Sequence, residues 1–202
     1  LLIADEVVTG FGRTGHMFGT RLWGVHADLY CLAKGISTGY IPLGAVAIGE
    51  QVAAAYEADT TGAAAFGHGY TYSGHPVAAA AALATLAEIE RLDVPGNAAK
   101  VGQIMQTRMR KLLDSCSFVG DVRGVGLMLA IEMVSDKAKR TPVGKTSSIP
   151  QQVYQAAYER GLMVRISGPN LIMSPPLVIN EDEMNQLCDR LEAAFAAVDA
   201  AQ

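Results

Sequence analysis

The sequence is poor in aromatic residues and in charge. Phe, Trp and Tyr make up 6% of its 202 residues, and Trp23 is the single tryptophan. Charged residues make up 18%, where about 25% is usual for a soluble domain. The hydrophobic half of the chain is therefore mostly Ala, Val, Leu, Ile and Met. So little charge predicts a large buried fraction or a surface that faces a partner. Basic clusters are also missing. The net charge is -4 and the longest basic patch is "KAKR" at 137–140, which reads as a solvated loop. Nothing here marks a nucleic-acid partner. The apolar runs are alanine-rich and too short to cross a bilayer, so no membrane partner is expected, and no leader pattern is visible. Cys31, Cys116 and Cys188 are odd in number and lack metal-ligand spacing, as do His16, His26, His68 and His75. The thiols read as reduced, the compartment as cytoplasmic, and no metal is expected.

What is present begins abruptly. "LLIADEVVTG" opens inside an apolar strand, without Met or cap. The expectation is that the chain is the C-terminal part of a longer protein whose N-terminal portion lies outside it. Leu1–Ala4, Asp28–Ala33 and Gly44–Ile48 are continuous apolar runs separated by glycine-rich loops. That pattern predicts an α/β sheet whose strands are buried on both faces. Pro76 opens a long alanine-rich helix, and "DVPGN" at 93–97 ends it. Asn97 is expected to cap a second helix carrying Val101, Ile104, Met105, Leu112 and Leu113. A strand pair at 118–122 and 127–134, a polar loop at 135–148 and a helix from Pro150 to Gly161 follow. A hairpin around Ser167–Pro169 comes next, and then a helix from Glu181 with Asn180 and Glu183 at capping-box spacing. The change of character places a boundary near residue 95. Residues 1–95 read as part of an α/β domain and residues 96–202 as a small α+β domain.

Two of the apolar runs end on ionisable residues: Asp5 closes the first and Lys34 the second. Ligands of open α/β sheets bind beyond the carboxyl ends of strands, so both groups could face one crevice. Placement alone leaves open a turn-capping aspartate and a surface lysine. The chemistry that needs such a pair is that of pyridoxal phosphate (PLP). A lysine amine condenses with the cofactor aldehyde, and a carboxylate keeps the pyridine nitrogen protonated so that the ring draws electrons.

Three segments make the pattern specific. "IADEVVTGFGRTG" (3–15), "AKGISTGYIPLGA" (33–45) and "HGYTYSGHPVAAAAA" (68–82) closely resemble class III, or omega-type, PLP-dependent aminotransferases of fold type I. The interval from Asp5 to Lys34 matches that family too, and the resemblance continues through "DVRGVGLMLAIEMV" and "SPPLVI". It implies that residues 1–95 are the C-terminal part of the large PLP-binding domain. It makes Lys34 the Schiff-base lysine and proton carrier, and Asp5 the partner of the pyridine nitrogen. Val7 would lie against one face of the ring, a role compatible with simple packing. Thr71 would donate to the cofactor phosphate of the neighbouring subunit with Tyr70 beside it, which implies a homodimer with shared sites. Their alternatives are a loop threonine and an interface tyrosine. Arg165 would be the mobile arginine that pairs with the α-carboxylate of an amino or keto acid and swings aside for a simple amine. Its alternative is an exposed arginine on a hairpin strand.

The implied activity is transamination from a primary amine, diamine or omega-amino acid to a keto acid, with pyruvate as the acceptor. Its rivals are an aminomutase or amino-acid racemase on the same cofactor, and a non-catalytic fragment. His68, His75, Arg13 and Arg123 read as structural, Trp23 as packing, and Glu6 receives no role.

Overall fold

The backbone contacts of the computed structural model, which describes residues 1–202, divide into two units, Leu1–Pro95 and Gly96–Gln202. In the first unit, β1 (Ile3–Asp5) pairs in parallel with β2 (Leu29–Leu32), and β2 pairs antiparallel with β3 (Ala45–Ile48). The parallel register sets Asp5 opposite Cys31, and the Glu6 N–H extends the ladder by donating to Cys31 O at 3.0 Å. α1 (Glu50–Glu57) follows β3 directly. Residues 58–75 are turns and irregular chain up to α2 (Pro76–Arg91). Proline suits that first helical turn because no intrahelical partner awaits its missing N–H. His75 accepts from the Val77 N–H at 3.2 Å through Nδ1 and so caps the helix. Ala78, Ala82, Thr85 and Ile89 form the buried stripe of α2 at helical spacing, and α2 packs against a tight turn at Lys34–Ile36.

Two expectations fail in this unit. The apolar runs are not buried on both faces: Ile3 is 61% exposed and Val46 60%. Val, Ile and Leu are what a doubly covered strand requires, yet no part of the chain covers these strands on both sides. Trp23, expected to pack, is 72% exposed.

The second unit holds the main core. It contains α3 (Val94–Arg110, its first turn shared across the boundary), α4 (Leu112–Ser115) and α5 (Ile149–Glu159), with α6 (Glu181–Asp199) closing the chain. Its sheet runs β4 (Val119–Val125), β5 (Met128–Asp136), β8 (Asn170–Met173), β7 (Arg165–Ser167), antiparallel throughout. The polar loop expected at 135–148 contains one more short strand, β6 (Thr141–Pro142), paired with β5. Alternation along β5 buries Leu129, Ile131 and Met133. They pack in one core with Val101, Met105 and Met109 of α3, Leu171 of β8, and Met184, Cys188, Leu191 and Phe195 of α6.

Asn97 does not cap α3. Asp93, at φ 44°, breaks the chain direction after α2, and α3 begins at Val94 with Pro95 in its first turn. Asn97 lies inside the helix, and its Nδ2 donates to Leu177 O at 2.8 Å and Ile179 O at 3.0 Å. Those carbonyls lie outside any ladder, so the amide serves them instead of its own backbone. The capping box on α6 forms as expected: Asn180 Oδ1 accepts from the Glu183 N–H at 2.9 Å, and Glu183 Oε2 from the Asn180 N–H at 3.0 Å. Arg108 Nε and Nη2 donate to Glu192, and Nη2 donates to Asp189, tying α3 to α6. Gly102 brings α3 onto the β4–β5 turn; a Cβ there would stand 2.2 Å from Gly126 O.

Gly102→Ala is therefore expected to destabilise the second unit by about 1–3 kcal/mol, as overpacking does. Asn180→Ala is expected to cost about 1 kcal/mol, as loss of an N-cap does. Urea midpoints of the two variants and the parent check both values.

Candidate active site

The pairing of β1 with β2 places two strand ends side by side. Because the strands are parallel neighbours, their carboxyl ends emerge at one edge, about 4.8 Å apart in the hydrogen-bonding direction. Asp5 ends β1; Lys34 follows β2 by two residues. Asp5 Oδ1 accepts from the Val7 N–H at 3.0 Å, which turns the chain away from the strand and leaves the carboxylate exposed. Lys34 is also exposed. Its φ of 45° lies in the left-handed region that side chains other than glycine rarely adopt. It opens the turn Lys34–Ile36, which is anchored from below. The Ser37 N–H donates to Lys34 O at 3.3 Å, Ser37 Oγ donates to Ile41 O at 2.7 Å, and Ile36 and Ser37 are buried. The backbone is thus fixed while the side chain stays exposed.

Glu6, given no role by the sequence, is the buried carboxylate of this unit. It is 1% exposed. Its Oε2 accepts from the Gly19 N–H at 2.8 Å and from the Thr9 hydroxyl, and its Oε1 accepts from the Thr20 N–H at 2.8 Å. Burial pushes the carboxyl pKa up. The bonds from the Thr9 hydroxyl and from the Thr20 and Gly19 N–H groups outweigh it and hold the group below the usual glutamate range. Glu6 thereby closes the loop that leaves β1 and steadies Asp5 and Val7 on either side of it. The available signal was an acidic residue following a strand-end aspartate, with a threonine three residues on.

Val7 is half-buried at the start of that loop. Tyr70 and Thr71 lie on an exposed turn just before α2. There the Tyr70 N–H donates to Ser73 Oγ and the Ser73 N–H to Tyr70 O, each at 2.9 Å. An edge-to-face series of rings, Tyr56, Phe66, His68 and Tyr70, leads to this turn at centroid spacings of 6.3, 5.9 and 5.1 Å. Phe66 and Tyr70 are mostly exposed.

Arg165 belongs to the second unit, on the edge strand β7, and its side chain is exposed. It stands in one cross-strand row with Ile172, Ala130 and Arg123. Arg123 is engaged: it donates to Asp121 at 2.9 Å, Glu132 at 2.6 Å and Asn170 at 2.8 Å, which binds β4, β5 and β8 across the open face.

The donor set in the first unit fits a pyridoxal phosphate cofactor. Asp5 offers an acceptor for a ring N–H and Lys34 a primary amine for an aldehyde, both from one sheet edge. No group of His, Cys, Asp and Glu is arranged to hold a metal ion, and no helix is long and apolar enough to cross a membrane.

The family described as "Aminotransferase class-III" matches residues 1–195. An aminotransferase of Sinorhizobium fredii is 44% identical over 200 residues, covering 98% of this chain and 43% of that protein. A diaminobutyrate–2-oxoglutarate transaminase of Halomonas elongata is 41% identical over the same shares of each chain. Among solved structures, an amine transaminase from an uncultivated Pseudomonas species in its PLP-bound form superposes with a TM-score of 0.94. It is 49% identical and is matched over 98% of this chain and 45% of its own. The chain thus spans less than half the length of these relatives.

Replacing Glu6 by Gln removes a carboxylate whose pKa is lowered by folding. Its contribution to stability is complete above the ordinary value of 4.5 and is lost as pH falls through the lowered folded value. Glu6→Gln is expected to melt earlier at neutral pH, by roughly 1–3 kcal/mol of stability. The gap from the parent should close on acidification, as read by thermal melts across the acid range.

Proposed function

We infer the reaction from family and geometry together: the chain belongs to the class III aminotransferases, PLP-dependent enzymes of fold type I. The reading is transamination from a primary amine, diamine or omega-amino acid to a keto acid, with pyruvate as the acceptor. It rests above all on the common edge at which Asp5 and Lys34 leave the paired strands β1 and β2. Among the structural relatives, one transaminase with a TM-score of 0.92 and 40% identity was solved with L-alanine. L-Alanine is the amino acid that pyruvate becomes on accepting an amine. The relatives' names also include 2-oxoglutarate as an acceptor, so the acceptor is a matter for direct test.

Bound PLP supplies an aldehyde for amine exchange and a ring that takes up the electron pair left when the donor's Cα–H bond breaks. The chain's own residues do the rest. Lys34 Nζ anchors the cofactor at rest; once exchanged for the substrate amine, it takes the Cα proton, holds it as ammonium and returns it on the product side. The Asp5 carboxylate keeps a proton on the ring nitrogen through a charge-assisted bond, and Val7 offers an apolar surface to one ring face. Thr71 donates its hydroxyl to the phosphate held by a partner subunit, with Tyr70 beside it, in a homodimer. Arg165 reads the acceptor's α-carboxylate through a bidentate pair and leaves space when a simple amine binds. Residues 1–95 are then the PLP-binding part of the large domain, and residues 96–202 the small domain.

Borohydride is expected to fix the cofactor on Lys34, with the modified peptide identified by mass spectrometry, and Lys34→Ala to abolish turnover. Arg165→Ala should raise the KM for pyruvate far more than the KM for a simple amine; equal losses would remove its assigned role. Competition between pyruvate and 2-oxoglutarate in a donor screen of the full-length enzyme identifies the acceptor. Stoichiometric consumption of keto acid separates transamination from mutase or racemase chemistry.

A further inference from the structure

We propose that Phe11 is the positioning residue for Lys34: its buried ring clamps Gly35 and holds the lysine in its left-handed backbone conformation. The proposal rests on the role assigned to Lys34 above. Phe11 is 3% exposed and is itself left-handed, at φ 63°. It is held on two sides. Its N–H donates to Met17 O at 2.6 Å, closing the loop of residues 11–17. Its ring meets Phe18 edge-on at 5.9 Å, and Phe18 rests on Tyr30 of β2 at 5.6 Å. Tyr30 lies four residues before Lys34 on the strand that leads to it, so the aromatic series returns to the element it braces.

The contact with Gly35 is tight. A Cβ built on Gly35 would stand 2.8 Å from Phe11 Cβ and 2.9 Å from Phe11 Cδ2. The phenyl ring thus occupies the space where any other residue would carry its side chain. Left-handed backbone at a residue such as lysine persists only where its surroundings over-determine it. Here the surroundings are the Phe11 ring over Gly35, buried Ile36 and Ser37 beneath, and the return bond from Ser37 to Lys34 O. Without the ring, the 34–35 backbone gains room to relax to negative φ, and the direction in which the amine leaves the chain changes with it. A second left-handed residue, Thr38 at φ 47°, closes the same segment. The first motif thus sets the aim of the lysine in the second.

The test uses the full-length holoenzyme. Phe11→Ala is expected to lower turnover with amine and with keto acid alike, on the order of 100-fold, as misplacement by about an ångström does, with both KM values little changed. Independently of activity, two measurements on the resting enzyme should shift. These are the pH at which the lysine-bound chromophore titrates and the rate at which cofactor is lost on dialysis. Gly35→Ala should reproduce these effects by forcing the ring away. If Phe11→Ala does not fold, Phe11→Leu takes its place. A purely structural role would lower the melting temperature without moving the chromophore titration, and that result overturns the proposal. A Lys34→Ala enzyme that still turns over would instead overturn the role of Lys34 itself.

Discussion

The placement of Asp5 and Lys34 follows from one parallel pairing. β1 and β2 share a register in which Asp5 faces Cys31, and the Glu6 N–H adds one more bond to Cys31 O. Had the strands been antiparallel, the acid and the amine would leave opposite edges of the sheet. A register slip of one residue would turn Asp5 to the other face. The loop between these strands, which includes the glycine-rich first motif, is therefore more than a connection. Glu6, at its start, holds its middle by accepting from Gly19 and Thr20, while Phe11 reaches the turn beyond β2.

Glycine matters in this loop and in the lysine turn because of proximity as well as backbone freedom. Gly19 and Gly35 both lie where a Cβ would stand 2.8 Å from a neighbouring side-chain carbon, of Thr9 and Phe11 respectively. The first lets Glu6 reach the backbone, and the second lets an aromatic ring lie over the lysine turn. Strain and close packing then work in the same direction: residues in unfavourable conformations are kept there by contacts that only glycine permits.

Much of this was legible beforehand, for physical reasons. Apolar runs ending at Asp5 and just before Lys34, Pro76 at a helix start and the spacing of Asn180 and Glu183 are local signals, and the strand ends, the helix start and the capping box appear where these signals predict. Less legible were features decided by distant partners. Asn97 resembles a cap, yet it serves the carbonyls of Leu177 and Ile179, some eighty positions along the chain. Glu6 looks like an ordinary charged neighbour of Asp5 until Gly19 and Thr20 are brought onto it. Trp23 and the runs of β1 and β3 read as interior because hydrophobicity reports what a residue favours, whereas exposure depends on what the chain supplies to cover it. Thr14, whose hydroxyl is buried without a partner, gives no such signal in the sequence either.

The uneven distribution of burial has a calorimetric consequence. Nearly the whole contiguous apolar interior, from Ala98 to Val198, belongs to the second unit, while the sheet of the first keeps Ile3, Val46 and Ile48 in contact with water. Heat capacity rises on unfolding in proportion to the apolar surface newly wetted. The increment for these residues is therefore concentrated in the second unit. Cooling, which weakens apolar cohesion, acts mainly on the helices and strands of that unit and bears little on the polar clasp around Glu6.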